Sequence, residues 1–341
     1  MKKIVCMSLS LALAMGALTG CQTPSASKSS GEKLRIVTTI FPEYDWVREI
    51  LGDQADRVEL TMLLDDGVDL HSFQPTADDM VVISNCDLFL YTGGESDDWV
   101  EDALTNSANP NRATMDLMDI LGDAVKAEEM VEGMQETEHH HSHEEDHEED
   151  HDHEEDHDHE EHDHDDEHIW LSLRNAAVLC GAIADTLGAI DHEHQTTYAE
   201  NAAAYIQKLI DLDGRYQAAV DASSTRTLLF ADRFPFRYLV DDYGLTYYAA
   251  FSGCSAETEA SFETVAFLAG KADELSLPCV LTIEGTTHGI AETVVGNTSG
   301  KNQEILTLDS MQSVTAADVA AGASYLSIME QNLETLKAAL R

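Results

Sequence analysis

The chain has 341 residues, 65 of them Asp or Glu against 19 Lys or Arg, and a formal charge of −46 at pH 7. This length suits one large domain or two of ordinary size, and an apolar fraction of 43% is enough to bury a core, which excludes disorder of the whole chain. The acidic balance excludes nucleic acid as a partner, because nothing would neutralise its phosphates, and excludes docking on anionic lipid by charge. The excess is concentrated. Residues 138–168 hold 18 acids, 12 of the 16 histidines and no Lys or Arg, and removing those 18 charges from −46 leaves −28 for the rest. Imidazole and carboxylate at this density point to divalent metal.

Lys2 and Lys3 form a short basic start, and residues 4–18 are apolar apart from Ser8, Ser10 and Gly16. That pattern predicts a secretory signal over residues 1–20, too short for a comfortable membrane span. It ends in Leu18-Thr19-Gly20-Cys21, which resembles the lipobox of bacterial lipoproteins and implies cleavage before a lipidated Cys21. Residues 21–32, Ser-rich and polar, are expected to be a lipid-anchored flexible tether. No later segment approaches 18 uninterrupted apolar residues. Cys86, Cys180, Cys254 and Cys279 then remain, either as disulfides, for which three full pairings exist, or as buried thiols. None has CxxC spacing, so a cysteine zinc site is not expected.

Strand and helix patterns then alternate. Residues 34–40 are β-branched and apolar and predict a strand. Pro42 opens a helix whose Trp46, Val47, Ile50 and Leu51 share one face. A strand over 58–64 follows, then a helix capped by Thr76 and running to Ser84, a strand over 88–91 and a helix over 97–104. The acidic histidine run cannot pack a core and is expected to be a disordered loop over 138–167. Helices are predicted over 175–187 and 196–222, the second about 40 Å long at 1.5 Å per residue. The alternation resumes with strands over 227–230, 245–251, 279–283 and 305–308 and helices over 236–242, 262–275, 290–295 and 323–339. The fold class read from this is α/β, with two Rossmann-like lobes of parallel sheet joined by a long backbone helix. The lobes are assigned to 33–137 with 168–193, and to 223–341, with the linking helix over 194–222. In such folds ligands bind at the carboxyl ends of the strands, here between the lobes.

Two histidines occupy suitable loops. His71 follows the second strand in Asp69-Leu70-His71-Ser72-Phe73-Gln74-Pro75-Thr76. His168 stands in Glu167-His168-Ile169-Trp170-Leu171-Ser172, where the histidine run gives way to apolar sequence. Taken alone, each is as readily a structural or exposed histidine. Together with the lipobox, Val37-Thr38-Thr39-Ile40-Phe41-Pro42, the acidic histidine loop, Tyr243-Gly244-Leu245 and Tyr325-Leu326…Met329-Glu330-Gln331-Asn332-Leu333, however, these motifs fall in one order. The mature chain in that respect resembles the zinc- and manganese-binding solute-binding lipoproteins of bacterial ABC transporters.

The resemblance implies a buried metal site between two lobes, with His71 and His168 as ligands. It also implies an extracytoplasmic monomer, lipid-anchored to the bacterial membrane, that delivers metal to an ABC permease. The third ligand of that family, a histidine after the first strand of the second lobe, aligns with Ala231, which cannot ligate. Asp232 is the nearest replacement; its other role would be pairing with Arg233 or capping the next helix. Asp309, after a late strand, fits the family's fourth, acidic ligand. Glu284 and His288 are weaker candidates, His288 because Thr-Thr-His-Gly reads as an exposed turn. No role is assigned to Cys254-Ser255-Ala256-Glu257-Thr258-Glu259.

Two histidines and two carboxylates suit Zn2+ or Mn2+, and the imidazole-dense loop favours Zn2+. The loop would gather zinc or sense its abundance, or else be only a solvated acidic tether. The alternatives in function are manganese-specific uptake on the same fold and a surface adhesin or metal-buffering lipoprotein. An enzyme is not expected, for there is no Gly-x-Ser-x-Gly turn and no Walker loop.

Overall fold

The apolar strand segments assemble into two sheets, each of four parallel strands. A computed structural model of the chain describes residues 33–105, 107–135, 164–255, 259–285 and 287–341. The expected signal, Cys21, the tether and most of the histidine run lie outside the described residues.

In the first sheet β1 (Leu34–Thr38) leads into helix α1 (Phe41–Leu51), and β2 (Val58–Met62) into α2 (Ala77–Asn85). β3 (Leu88–Tyr91) is followed by α3 (Trp99–Thr105), and β4 (Ala113–Asp116) by α4 (Leu117–Leu121). The order is β2-β1-β3-β4. The sequence pattern did not predict β4 and α4: Ala113-Thr114-Met115-Asp116 carries one buried side chain, and pairing with β3 rather than its own apolar content makes it a strand.

Two long helices follow, α5 (Leu173–Ile190) and α6 (Gln195–Ala222). α5 has the length and mean hydropathy of a membrane span, but it packs on α1, α4 and α6, and Arg174 and Asp185 interrupt its apolar run. α6 buries Tyr198, Ala202, Tyr205, Leu209, Leu212, Tyr216 and Val220, a stripe at three- and four-residue steps.

The second sheet holds β5 (Thr227–Phe234), β6 (Thr246–Ser252), β7 (Cys279–Thr282) and β8 (Glu304–Thr307) in the order β6-β5-β7-β8. The intervening helices are α7 (Arg237–Tyr243), α8 (Phe262–Glu274) and α9 (Gly289–Asn297). The chain closes with α10 (Ala316–Ala320) and α11 (Tyr325–Ala339). β5 continues four residues beyond its predicted end at 230, with a register shift against β6 between Phe230 and Arg233. In both sheets the first strand lies inside, with the second on one side and the third on the other. The order reverses there, so a crevice opens at the carboxyl ends of β1 and β5.

α6 spans both lobes, contacting α1 and α5 of the first and α7 and α11 of the second. Tyr216 donates to the Met329 carbonyl at 2.6 Å, and Asn201 Nδ2 to the Ile50 carbonyl at 2.9 Å. α11 turns back onto the first lobe. The Tyr325 amide donates to Asp45 Oδ2 (2.8 Å), its hydroxyl to the Trp170 carbonyl (2.6 Å), and its ring meets Trp46 edge-on. Cys86, Cys180, Cys254 and Cys279 are all free. The disulfide alternative is corrected accordingly: Cys86, Cys180 and Cys279 are buried thiols on α2's end, α5 and β7, each within its own packing.

At the start of α1 the fully buried Glu43 carboxylate accepts from the Thr39 amide (2.8 Å) and hydroxyl (3.0 Å) and, at its other oxygen, from the Thr92 hydroxyl (3.2 Å). Burial outweighs these bonds and pushes its pKa up from 4.5 to about 7. A raised carboxyl pKa means that the folded state holds the proton more tightly than the unfolded state. Stability is therefore greatest below the ordinary pKa, falls as pH rises through the window between 4.5 and about 7, and is flat above it, a loss of about 3 kcal/mol from this group. Glu43→Gln keeps the acceptor toward Thr39 and removes the charge. Thermal melts of the chelator-treated protein are expected to show the variant more stable than the parent above about pH 7 and indistinguishable near about pH 5.

Candidate metal centre

Three segments from the crevice walls build the site. The loop after β2 ends in a 3₁₀ turn, Leu70–Ser72, capped by Asp69, whose Oδ1 accepts from the His71 amide at 3.0 Å. Leu70 is buried, which anchors the turn and turns His71 inward. Asp69 Oδ2 also receives Arg233 Nη2 from the second lobe at 2.7 Å. Burial opposes the Asp69 charge, but Arg233 and then His71 outweigh it and hold the carboxyl below its ordinary value.

The second segment is residues 164–168. Its backbone is strapped to the stretch after α4: the Asp166 amide donates to the Lys126 carbonyl (2.8 Å) and the Glu128 amide to the His164 carbonyl (2.7 Å). Ile169, Trp170 and Leu171 follow, all buried, and Trp170 Nε1 donates to the Ser310 carbonyl at 2.8 Å. This return of apolar sequence pulls His168 out of the hydrophilic run and into full burial.

The two imidazoles meet edge to face, with Nε2 of His71 3.2 Å from Nε2 of His168. Their other nitrogens face oxygens. His168 Nδ1 lies 3.0 Å from Asp166 Oδ1, which also accepts from the His168 amide at 2.9 Å. His71 Nδ1 lies 2.7 Å from Ser96 Oγ and 3.4 Å from Glu167 Oε2, and Glu167 Oε1 accepts from the Ser96 amide at 2.7 Å. Gly94 makes room for Glu167, since a Cβ there would stand 2.6 Å from it. The Asp166 carboxylate can only accept, so His168 carries its proton on Nδ1 and presents the Nε2 lone pair to His71. Burial acts to lower the His168 pKa, but Asp166, then Glu167 and Asp69, outweigh it and hold it above the ordinary value. Burial likewise acts to raise Glu167, and the bonds from His71 and Ser96 outweigh it and lower it. A proton or a cation between the two Nε2 atoms is what this field favours.

The third segment is the end of β6. Among the described residues, one group of three side chains has donor atoms all within 4.8 Å of one another and could share an ion: His71, His168 and Cys254. Sequence reasoning missed Cys254 because it sought paired cysteines. The available signal was a Gly-Cys step directly after the strand beside β5, whose Ala231 stands where the family resemblance implies an imidazole.

None of Asp232, Glu284, Asp309 and His288 belongs to that group of three. Asp232 Oδ1 accepts from the Arg233 amide (2.9 Å) and Oδ2 from the Ile283 amide (3.2 Å), which ties the end of β5 to the end of β7. The Arg233 guanidinium, the alternative partner considered for Asp232, reaches across to the first lobe and pairs with Asp69. Glu284 clamps the loop after β8, accepting from the Ser310 amide and hydroxyl and the Gln312 amide. Asp309 accepts from the Met311 amide at 2.8 Å, and burial, then Glu284, push its pKa up to about 7. His288 has a left-handed backbone (φ 56°) just before α9 and lines a cleft of about 790 Å³ whose lining includes neither His71 nor His168. Asp69 and Ser72 of the first lobe and Asp232, Arg233 and Ser255 of the second line the same cleft.

Residues 36–339 match the family described as the zinc-uptake complex component A, periplasmic (ZnuA). The chain belongs to this family. Its relatives include the zinc-binding lipoprotein AdcA of Streptococcus pneumoniae, 31% identical over 341 residues, a match covering 99% of this chain and 61% of AdcA. The chain thus spans about three-fifths of the length of that relative. The high-affinity zinc uptake system protein ZnuA of Bacillus subtilis is 29% identical over 328 residues, covering 96% of this chain and 94% of that one. In structure, the Zn(II)-bound ZnuA-like domain of Streptococcus pneumoniae AdcA superposes with a TM-score of 0.67 at 26% identity, covering 90% of this chain and 99% of that one. The two-lobed ZnuA fold expected from the sequence is the one observed.

Asp166 fixes both the tautomer and the direction of His168. Asp166→Ala is expected to weaken divalent-metal binding about 10- to 100-fold, as loss of a carboxylate behind a ligating imidazole does. Competition against a chromophoric chelator measures this, and an unchanged far-ultraviolet circular dichroism spectrum shows that the lobes remain folded.

Proposed function

We propose that this protein captures zinc between its lobes and delivers it to an ABC permease for import. The observation that carries this reading is the approach of two imidazole Nε2 atoms to 3.2 Å, each ring oriented from behind by a hydrogen bond between its Nδ1 and an oxygen. Such a pair is preorganised for a cation, so little is lost in ordering it. Zinc is preferred to manganese because nitrogen donors favour the later metal, and because the acidic histidine run gathers such ions in the same chain. The zinc-binding lipoprotein AdcA and the zinc uptake protein ZnuA of Bacillus subtilis agree with this choice.

In this reading His71 and His168 are metal ligands, and the protein binds its ion for transport without transforming it. The mature chain acts outside the cytoplasm as a monomer, held to the membrane by lipid on Cys21. Residues 33–137 with 168–193 and residues 223–341 are its two lobes, 194–222 the linking helix, and 138–167 a loop that gathers zinc.

Two measurements test the reading. His71→Ala and His168→Ala are each expected to raise the zinc Kd by about 100-fold or more, since each removes a direct bond that water replaces poorly in a closed site. Unchanged affinity in both would overturn it. Deleting residues 138–163 is expected to leave one tight site and remove several weak ones in an isothermal titration, because a tract so dense in imidazole and carboxylate offers many equivalent donors.

A further inference from the structure

We propose that Cys254 is a thiolate ligand of the ion held by His71 and His168, supplying the third donor that the alanine at position 231 cannot. This rests on the metal-binding reading above and specifies its chemistry. The three donor atoms already lie within 4.8 Å of one another. Around tetrahedral zinc, with Zn–N near 2.0–2.1 Å and Zn–S near 2.3 Å, two nitrogens stand about 3.3 Å apart and nitrogen and sulfur about 3.6 Å. The histidine pair at 3.2 Å therefore needs almost no movement, and the sulfur about an ångström.

The backbone around Cys254 is built for this approach. The adjacent Gly253 lies so close to the site that a Cβ on it would stand 3.0 Å from His168 Cε1 and 3.0 Å from the Phe234 carbonyl oxygen. A glycine there lets the end of β6 lie against the imidazole, and the next residue is the cysteine. The Cys254 amide donates to Glu128 Oε1 at 3.3 Å, and the Glu128 amide in turn holds the His164 carbonyl. One short stretch thus fixes both the cysteine and the segment that carries His168. Cys254 is partly exposed and free, whereas Cys86, Cys180 and Cys279 are buried away from any histidine cluster among the described residues.

On binding, a sulfur–metal bond forms as the S–H bond breaks, and the proton leaves to solvent, so one proton is released for each ion taken up at the sulfur. A thiolate with two imidazoles is a softer donor set than imidazoles with carboxylates. It favours zinc, cobalt and cadmium and disfavours manganese.

Cobalt(II) is the probe, because sulfur ligation gives it a charge-transfer band in the near ultraviolet that imidazole and carboxylate do not. The full-length protein loaded with cobalt is expected to show that band with tetrahedral visible bands, and Cys254→Ser to lose the former while still binding cobalt. The zinc Kd of Cys254→Ser should rise about tenfold or more, and that for manganese should stay within about twofold. In the unaltered protein, bound zinc should protect Cys254 from iodoacetamide, read by mass spectrometry, which does not depend on how the variant folds. Tight zinc and cobalt binding with no sulfur band and no protection of Cys254 overturns this proposal and leaves the histidine site standing. Failure of the unaltered protein to bind either ion overturns both.

Discussion

Two imidazole nitrogens held 3.2 Å apart inside a protein must share a proton or a cation, and most of the local architecture serves to keep His71 and His168 in that contact. Asp166 accepts from His168 Nδ1, Ser96 Oγ meets His71 Nδ1, Glu167 braces Ser96, and Asp69 braces the turn that carries His71. The site is acidic in its surroundings and nitrogenous at its centre. The carboxylates that lie behind the donors favour a cation at the centre. The lobes are held in register for this by contacts at a distance, chiefly Tyr325 against Asp45, Trp46 and Trp170, and α6 running along both.

The parts of this arrangement that were legible in the sequence are those written in local pattern. The stripe of tyrosines and leucines on α6, the β-branched run of β1 and the apolar Ile169-Trp170-Leu171 after the histidines each declare a buried face. Strand alternation gave the two parallel sheets. β4 was not legible, because it is a strand by virtue of its partner. Nor was the extension of β5 to Phe234, since a polar Asp232-Arg233 step reads as a loop until its carboxylate is seen to satisfy the Ile283 amide and its guanidinium to reach Asp69.

The site was legible in the same uneven way. His71 and His168 stood out through motif and position. Asp232, Glu284 and Asp309 were proposed as ligands because carboxylates at strand ends are chemically apt, yet their oxygens accept from backbone amides that would otherwise be unsatisfied where β5, β7 and β8 end. A sequence cannot show which of two roles a strand-end carboxylate takes, because the deciding partner is a main-chain N–H far along the chain. Cys254 was overlooked for the complementary reason: a single cysteine has no spacing to read, and its relation to the histidines exists only across the crevice.

The geometry of parallel strands explains how a donor can be lost at one position and still be replaced. β5 and β6 are neighbours in register at their carboxyl ends, where Phe234 pairs with Ser252, so residues just beyond either strand open onto the same crevice. The register shift after Phe230 turns Asp232 toward the end of β7 and leaves Ala231 as the small residue where an imidazole would stand. Space on β5 is thereby exchanged for reach on β6, where Gly253 lets the chain approach His168 and Cys254 follows at once. A thiol is short and needs that close backbone, whereas an imidazole would need a more distant one. In the proposed site the small Ala231, where the family resemblance implies an imidazole, and the bare Gly253 are two halves of one steric adjustment, in which sulfur takes the place of nitrogen while the sheet itself stays the same.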